Sequence, residues 1–511
     1  MSESSKMNFH ELMSLYKEYN DTIDALYRLR TTNEEALDKI CNDIKINLIE
    51  TKYLLPSYMI YTISFAARCN NRYLKSYWYI FKKIYEEYRS DHINYFPRGF
   101  DYFVYKEYGI WLNDENKISL ERIETENISL EVVKPDTIFE SIMNDNIEAF
   151  TSFTESQEFD KNDVLVSPFF IDATQPSLLE VCCYYGATKC FSFLREKFNS
   201  EITKRCLQFS ILNGNYVLVK ECLKVVEPDD ECMEYAIISH NIAFVTFLMI
   251  EYKLTISLFK CGEYNNLQAF FVYLDQTNDI KNCFLYSPLF NIPSLCKYFL
   301  SQGANIYDRD SDDEQTALHM ASYFNAVETA KFLITNDATI NKKDIDGNTP
   351  LLIAASNNSK EMIELLIQNE ANIYDRNNDK KTALYLATEN DASDAAETLI
   401  LHGANVNDSY NYGETALHVA AELNKLNIVS VLVSHGAIIN AKEYKNESTA
   451  LHKASIKGNT NIVKILCSHG ADVNAIDSYR KTSLDYAKEN DNEEIEELLR
   501  SHGAISNSLD N

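Results

Sequence analysis

The feature that most limits how this chain can fold is a segment that recurs at a nearly constant interval. Six similar segments each open with a threonine: Thr316, Thr349, Thr382, Thr415, Thr449 and Thr482. Successive openings lie 33, 33, 33, 34 and 33 residues apart. A unit of this length cannot bury its own apolar residues and becomes stable only when neighbouring units stack. The sequence therefore predicts a row of repeats over residues 305–511.

Each repeat has the pattern of two helices joined by a sharp reversal. Threonine is a good N-cap for the first helix. Nine residues later only Asn, Asp or Gly occurs, at Asn325, Asn358, Asp391, Asn424, Gly458 and Asp491. These residue types adopt left-handed backbone at the lowest cost, so they mark the end of the first helix.

The second helix of each repeat is predicted to stop at another left-handed position. Glycine followed by alanine occupies this position in most units, as at Gly403 and Gly436, whereas Asp337 and Glu370 replace the glycine in two of them. We expect Glu370 to cost on the order of 1 kcal/mol relative to glycine and to loosen its repeat. An extended stretch and a polar tip, together called a finger, follow before the next threonine.

These residues resemble the ankyrin repeat. The resemblance rests on the T-x-L-H start, the L-x-x-x-G-A-x-V-N end and the 33-residue period, over about 311–505. It implies an all-α fold, an ankyrin-repeat α-solenoid in which each helix-turn-helix unit carries a β-hairpin finger. It also implies adaptor or scaffold work on protein partners, and it names no single partner.

Shorter repeats are predicted upstream, in residues 136–304. Apolar helical segments recur there without fingers, and their reversals fall near Gly186, Asn215, His240, Asn266 and Asn291, 25 to 29 residues apart. We interpret them as degenerate ankyrin-like helix pairs. An ordinary helical domain with accidental spacing is the alternative.

Residues 1–135 are predicted to form a separate N-terminal helical domain. Thr32 with Glu35 matches a capping box, and Pro56 suits the first turn of a helix. The helical spacing of aromatic residues around Tyr77 and Phe81 is typical of core packing. This region also resembles the helical region of unknown function that precedes ankyrin repeats in a large family of protist proteins, which implies no activity.

The charge of the chain disfavours several classes of partner. The formal net charge is -28, of which residues 1–135 contribute only -3. Such an acidic surface repels phosphate backbones and anionic lipids, so we expect protein partners and no nucleic acid. The acidity serves either solubility or a preference for basic partners. The oligomeric state does not follow from the sequence.

The sequence favours an intracellular, cytoplasmic location without direct membrane insertion. The first residues lack the pattern of a signal peptide, and the apolar run from Tyr58 to Ala67 is too short to span a bilayer. The twelve cysteines form no CxxC pair and mostly lie within apolar helical patterns, as expected for buried free thiols in a reducing compartment.

Histidines raise the question of a metal site. Seven of the ten fall in two repeat columns: His319, His418 and His452 after T-A-L, and His402, His435, His469 and His502 before Gly-Ala. Equivalent residues of packed repeats lie about 10 Å apart, whereas zinc ligands lie about 2 Å from one centre. We therefore expect the first column to hydrogen-bond neighbouring repeats, and we predict no metal and no cofactor.

No enzyme motif occurs in the sequence, so the function is predicted to be binding rather than catalysis. The exposed positions offered as partner-binding candidates are Tyr323, Phe324, Asp346, Asp379, Tyr412, Lys445 and Tyr479. The main hypothesis is a scaffold or adaptor that binds a partner through the concave face and fingertips. One alternative is a substrate-recognition subunit of a protein-modifying complex such as a ubiquitin ligase. Another is a catalytic N-terminal domain that uses His10, Cys41, Cys69 and His92.

Overall fold

The structure is a computed structural model that describes residues 7–90, 93, 96–113, 116, 129–156, 159–171 and 175–507. Its internal contacts divide the chain into two compact units, Met1–Tyr286 and Ser287–Asn511. The described residues are mostly helical and contain no extended strand, only two isolated bridges. The all-α prediction is therefore confirmed. The boundaries predicted at 135/136 and 304/305 stay predictions.

The first unit begins with helices that precede the short repeats. They are α1 Phe9–Leu15, α2 Lys17–Tyr27, α3 Glu34–Ile44, α4 Pro56–Cys69, α5 Leu74–Glu87 and α6 Arg98–Tyr108. Pro56 begins α4 as predicted. The cap of α3 is Asn33, whose side chain accepts the Ala36 amide, so the capping box assigned to Thr32 is wrong by one residue. Tyr77 and Phe81 are fully buried, which confirms the predicted packing role of this helix face.

The short repeats follow as consecutive helix pairs. They comprise α7 Ile138–Met143, α8 Ile147–Thr154, α9 Leu178–Tyr185, α10 Thr188–Phe198, α11 Lys204–Asn213, α12 Tyr216–Cys222, α13 Asp230–Ile238, α14 Ile242–Tyr252, α15 Leu258–Glu263, α16 Leu267–Thr277 and α17 Ile280–Tyr286. The first helices of successive pairs pack side by side, from α7 through α9, α11, α13 and α15 to α17. The helix pairs predicted without fingers are thus present.

Left-handed residues make the predicted reversals of these pairs. Gly186, Gly214, His240, Asn265 and Asn291 all have positive φ. Two reversals therefore occur one residue before the expected asparagine. The expected asparagines instead cap the helices that follow, since Asn215 caps α12 and Asn266 caps α16 through their side-chain oxygens.

The N-terminal helices cover the reversal side of the short repeats. Tyr19 donates a hydrogen bond from its hydroxyl to Asn265, and Tyr58 donates to the carbonyl of Glu263. His240 places one ring nitrogen 3.0 Å from Asp24 Oδ1 and the other 2.9 Å from the Tyr264 carbonyl. These buried polar contacts fix α2 and α4 against the ends of the first helices.

The second unit contains the six long repeats, preceded by one further helix. The helices are α18 Pro293–Ser301, α19 Ala317–Tyr323, α20 Val327–Thr335, α21 Pro350–Ser356, α22 Lys360–Gln368, α23 Ala383–Glu389, α24 Ser393–Leu401, α25 Ala416–Glu422, α26 Leu426–Ser434, α27 Ala450–Lys457, α28 Thr460–Ser468, α29 Ser483–Glu489 and α30 Glu493–Ser501. The first helices stack in chain order, and so do the second helices. The apolar face of each helix is thereby buried between its neighbours.

The residues expected to shape the repeats do so. Every first helix starts directly after its threonine, and the residue nine positions later has a φ between 51° and 76°. Asp337 and Glu370 also have left-handed backbone, with φ of 67° and 70°. The two units without glycine therefore keep the same turn, and Glu370 adopts a conformation that is unfavourable for a residue with a Cβ atom.

Glu370→Gly is expected to raise the free energy of unfolding by up to about 1 kcal/mol, because glycine removes the left-handed strain while its larger unfolded-state entropy offsets part of the gain. Urea denaturation followed by circular dichroism measures the change. The matched control is Gln368→Gly, two residues earlier in right-handed helix, which is expected to lower stability. Equal effects of the two substitutions would contradict the strain at Glu370.

Candidate functional site

The exposed ends of the six fingers form the candidate site of the second unit. We call these ends the fingertip row and number them tips 1 to 6. The tips are residues 311–314, 345–347, 378–380, 411–413, 444–447 and 478–480. Each tip lies between two residues joined by a backbone hydrogen bond, such as Asp344 N to the Asn348 carbonyl at 2.9 Å. The predicted hairpins are therefore tight turns with stems too short to count as strands.

A buried polar side chain at the base holds five of the six tips. The carboxylate of Asp310 accepts three backbone amides of its tip, and the buried Asp344, Glu443 and Asp477 each accept two. Asn377 accepts one, from Lys381. A carboxylate that receives several amides fixes the turn, because each charge-assisted bond is stronger than a neutral one. The tip side chains therefore stand on a rigid base.

Tip 4 is held differently. Tyr410 replaces the acidic or amide residue at its base, and its ring packs on Tyr385 with the ring centroids 4.4 Å apart. Tyr412 in this tip has a φ of 59°. The following residue, Gly413, has no side chain, and this leaves room for the ring of Tyr444, which would lie 2.7 Å from a Cβ at position 413. The ring of tip 5 is thus packed directly on the backbone of tip 4.

Backbone hydrogen bonds join neighbouring tips within two groups. Tip 2 donates to tip 1 from Ile345 to Asp313, and tip 3 donates to tip 2 from Asn378 to Asp346, both at 2.9 Å. In the second group Tyr444 donates to Tyr412, and Ser478 donates to Asn446 at 2.8 Å. Among the described residues no such bond joins tip 3 to tip 4. The row therefore consists of two bonded halves.

The two halves differ in chemistry. Tips 1–3 expose Asp312, Asp313, Glu314, Asp346 and Asp379. Tips 4–6 expose three tyrosines, Tyr412 at 69%, Tyr444 at 78% and Tyr479 at 67%, together with Lys445 and Arg480. We call these surfaces the acidic half and the aromatic half.

Like charges crowd the acidic half. Partial burial raises the pKa of the Asp313 carboxyl, and the neighbouring carboxylates of Asp310, Asp312, Asp346 and Asp344 raise it further. The ionised form of Asp313 is therefore less favourable than in water, and a cation near it would lower the pKa again.

Five of the seven predicted binding residues lie in the fingertip row. Asp346, Asp379, Tyr412, Lys445 and Tyr479 are all exposed at the tips. Tyr323 and Phe324 are not part of the row: they lie at the far end of α19, with their rings 5.1 Å apart. The seven residues of that helix separate them from its finger by about 10 Å.

The sequence reasoning missed two apolar tip residues, Tyr444 and Ile345. Tyr444 is the most exposed tyrosine of the row, and Ile345 is 54% exposed in the acidic half. Both immediately follow the buried residue at the base of the finger. The sequence does contain a signal for them, since both occupy the same repeat position, one residue after Asp344 and Glu443.

The first histidine column ties three of the six repeats to the repeat that follows. His418 accepts the Thr415 amide and hydroxyl at Nδ1 and donates from Nε2 to the Ser448 carbonyl of the following repeat, at 3.1 Å. His319 and His452 make the same pair of contacts, to Asn348 and Lys481. Burial lowers the pKa of all three rings. The hydrogen-bonding role predicted for this column is present.

An asparagine column makes a second tie that the sequence reasoning did not identify. Asn407 accepts the amide of Ile438 and donates to the carbonyl of Gly436, so one side chain joins its own finger to the stretch that opens the next finger. Asn341, Asn440 and Asn474 do the same. Tyr374 occupies this position in the third repeat. The histidine position there holds Tyr385, so the histidine tie is absent between repeats 3 and 4, and the asparagine tie is reduced to one bond, from the Tyr374 hydroxyl to the Gly403 carbonyl at 3.5 Å.

Three of the four residues considered for catalysis lie within the described residues. Cys41 and Cys69 are buried, and burial raises the pKa of Cys41 to about 11 and that of Cys69 further. Both thiols are therefore protonated and weakly nucleophilic at neutral pH. His10 is exposed on α1, and His92 lies outside the described residues. Within the described chain, no three His, Cys, Asp or Glu residues are grouped to hold a metal ion.

Of the helices in the described residues, none has both the length and the apolar character needed to cross a bilayer.

Comparison with known families identifies the repeats. The family model described as ankyrin repeats (3 copies) matches residues 289–377, 371–443 and 439–510. The model described as a domain of unknown function (DUF3447) matches residues 198–273, within the short repeats. The predicted resemblance to ankyrin repeats preceded by a domain of unknown function is confirmed, but the matched domain lies in residues 198–273 and not in residues 1–135, where the resemblance was placed. The match to ankyrin repeats indicates protein–protein interaction.

Comparison with individual proteins adds little. No curated protein matches the chain. Among solved structures, the crystal structure of the human ASB11 ankyrin repeat domain is similar at 22% sequence identity and a TM-score of 0.40. The similarity covers 43% of this chain and 98% of that one.

The histidine ties are expected to make the repeats less stable as the pH falls below about 6.5. The folded rings have a lowered pKa, so the unfolded chain binds more protons below the ordinary histidine value, and stability rises with pH through this window. Replacing His418 by Gln is expected to lower the free energy of unfolding at pH 7.5 by about 1–3 kcal/mol, because the Ser448 carbonyl loses its donor. The same substitution is expected to make the free energy of unfolding fall less between pH 7.5 and pH 5.5 than it does in the unmodified chain.

Urea denaturation at the two pH values tests this expectation. The control is His469→Gln, which removes an exposed ring that bonds only within its own repeat. If the free energy of unfolding falls by the same amount between the two pH values in His418→Gln as in the unmodified chain, the pH dependence does not come from the His418 tie.

Proposed function

Residues 289–510 belong to the ankyrin repeats, and we propose that they serve this chain as a scaffold or adaptor that binds a protein partner along their concave face and the fingertip row. The observation that carries the proposal is the group of three exposed tyrosines on tips 4–6. Their backbones are joined from Tyr412 to Tyr444 and from Asn446 to Ser478, and buried carboxylates hold tips 5 and 6. Such anchors lose little conformational freedom when a partner docks, which favours affinity.

The aromatic half suits the centre of an interface. Tyrosine is enriched among residues that contribute most to binding, because a large ring and a hydroxyl can be buried together. Tyr412, Tyr444 and Tyr479 present such rings on consecutive fingers. Lys445 and Arg480 lie beside them and favour acidic or polar groups at the edge of the contact.

The acidic half favours a partner with a basic segment. The crowded carboxylates around Asp313 repel one another, and a Lys- or Arg-rich segment would relieve this repulsion when it binds. Exposed charges of this kind act mostly on the rate of association and on its dependence on salt. The proposed partner therefore has a basic segment next to a surface that accepts tyrosine rings.

We expect a triple variant to bind the partner at least about tenfold more weakly: Tyr412→Ala/Tyr444→Ala/Tyr479→Ala. Each truncated anchor at a docked interface contributes about 1 kcal/mol or more to the free energy of binding. Affinity capture with the full chain, followed by quantitative mass spectrometry, measures the recovery of each bound protein. Proteins depleted in the variant are then purified for direct titration.

A matched control replaces the same residue type outside the row. Tyr307→Ala/Tyr374→Ala removes two exposed tyrosines of the same unit that lie before the fingers. The control is expected to recover the same partners as the unmodified chain. If the tip variant also recovers every partner undiminished, the three tyrosines are not the anchors.

The acidic half is tested by Asp313→Asn/Asp346→Asn. Because exposed carboxylates steer a basic partner, the association rate is expected to fall several-fold at low ionic strength and to converge with that of the unmodified chain at high salt. Surface plasmon resonance at two salt concentrations, with a partner found by capture, measures the rates. The control Glu493→Gln/Glu494→Gln changes the same charge on α30, outside the row. An effect equal to that of the control would show that only the overall charge matters.

A further inference from the structure

A polar cleft in the first unit lies outside the surface proposed above. It has a volume of about 430 Å³, within the range of small-molecule sites. The lining residues come from the ends of α2, α4, α9, α11 and α13 and from the segments that follow them.

The charge of this cleft is opposite to that of the chain. Three of its lining residues are arginines, Arg28, Arg30 and Arg72, and none of the described residues that line it is Asp or Glu. The chain as a whole has 76 acidic and 48 basic residues. An average stretch of this protein's surface is expected to carry more carboxylates than cations. The lining of the cleft therefore has an unusually high share of positive charge.

The floor and wall beneath the arginines are rigid. Tyr184 and Tyr185 are buried and donate their hydroxyls to the Arg68 carbonyl and to Asn71 Oδ1. Asn213 donates from its side chain to the Tyr184 carbonyl. Its Oδ1 would lie 2.4 Å from a Cβ at position 186, so glycine is required there. A preformed wall of this kind lowers the cost of binding a small ligand.

The arginines retain unused donors. Arg30 donates one hydrogen bond, to the Asn213 carbonyl at 3.3 Å, and Arg72 uses one terminal nitrogen for the carbonyls of Met143 and Tyr185. The side chain of Arg28 has no hydrogen bond or ion pair with any described residue. A guanidinium has five N–H groups, so most of these donors remain available.

A purely structural role accounts for part of this arrangement. The ends of α9 and α11 present carbonyl groups toward the cleft, and cations are favourable at helix C-termini. That role explains the contacts of Arg30 and Arg72. Arg28 is the C-cap of α2, so the helix dipole favours its charge too, but its side chain bonds no carbonyl group of the described residues. The structural role does not explain why carboxylates are missing from the described wall.

We propose that this cleft binds a small anion that carries phosphate or carboxylate groups, held by the guanidinium groups of Arg28, Arg30 and Arg72. Planar guanidinium groups bind both kinds of oxyanion through paired N–H donors. The half-buried Tyr73 and Asn241 add a hydroxyl and an amide at the rim. The site is independent of the ankyrin repeats of the second unit and of their partner.

Isothermal titration of the full chain with inorganic pyrophosphate and, separately, with citrate tests the proposal. The unmodified chain is expected to bind at least one of them with a stoichiometry of one, and more weakly at high salt. Stronger binding of pyrophosphate identifies the anion as a phosphate, and stronger binding of citrate identifies it as a carboxylate. The absence of saturable binding by both probes would overturn the proposal.

Substitutions locate the binding in the cleft. Arg28→Gln/Arg30→Gln is expected to weaken binding at least about tenfold, because both changes remove charge-assisted contacts to the anion. Arg28→Lys keeps the charge but loses the paired donors, so it is expected to retain intermediate affinity. Arg30→Gln also removes the bond to the Asn213 carbonyl, so circular dichroism verifies that the fold is retained. The matched control Arg89→Gln removes an exposed arginine outside the cleft. Equal weakening by the control, or no weakening by the double variant, would overturn the proposal.

Discussion

The folding of this chain depends on helix pairs that bury their apolar faces only against one another. Left-handed residues make this possible, because they turn each first helix into its second within very few residues. In the long repeats the column from Asn325 to Asp491 makes this turn, and in the short repeats Gly186, His240 and their equivalents do. The position of every finger follows from this geometry, since the first helix fixes where the preceding tip ends.

The two kinds of repeat use the space around the helix pairs differently. In the second unit, fingers extend from the starts of the first helices and remain exposed. In the first unit, the N-terminal helices cover the reversal side, through contacts such as Tyr19 with Asn265 and Asp24 with His240. The tips of the second unit thus present side chains to solvent, whereas the first unit is closed by its own chain and leaves a cleft lined by Arg28, Arg30 and Arg72.

The regular columns made much of this architecture predictable. Backbone preference is a local property, so the reversals and the helix starts follow from residue types at a fixed spacing. Asn33, which replaces Thr32 as the cap of α3, shows that a local pattern can misplace a helix boundary by one residue. Of the candidate site, five tip residues were predicted, because they fall between repeats. Tyr444 and the asparagine ties were not, because exposure and bonds between repeats depend on packing that one sequence does not display. The arginine cleft was missed for the same reason, since Arg72 comes from a different segment than Arg28 and Arg30.

The joint between repeats 3 and 4 has a consequence for how the long repeats respond to load. Among the described residues this joint lacks the histidine tie and the backbone bond between tips. One bond from the Tyr374 hydroxyl to the Gly403 carbonyl, at 3.5 Å, stands in for the asparagine tie, and Arg376 pairs with Asp408 at 2.7 Å. Helix packing must therefore carry most of the cohesion there. Thermal fluctuations or a pulling force should separate the array first at this point, into two cooperative blocks of three repeats. The acidic and aromatic halves of the tip surface coincide with these blocks, so a partner that contacts both would act as a clamp across the weakest seam.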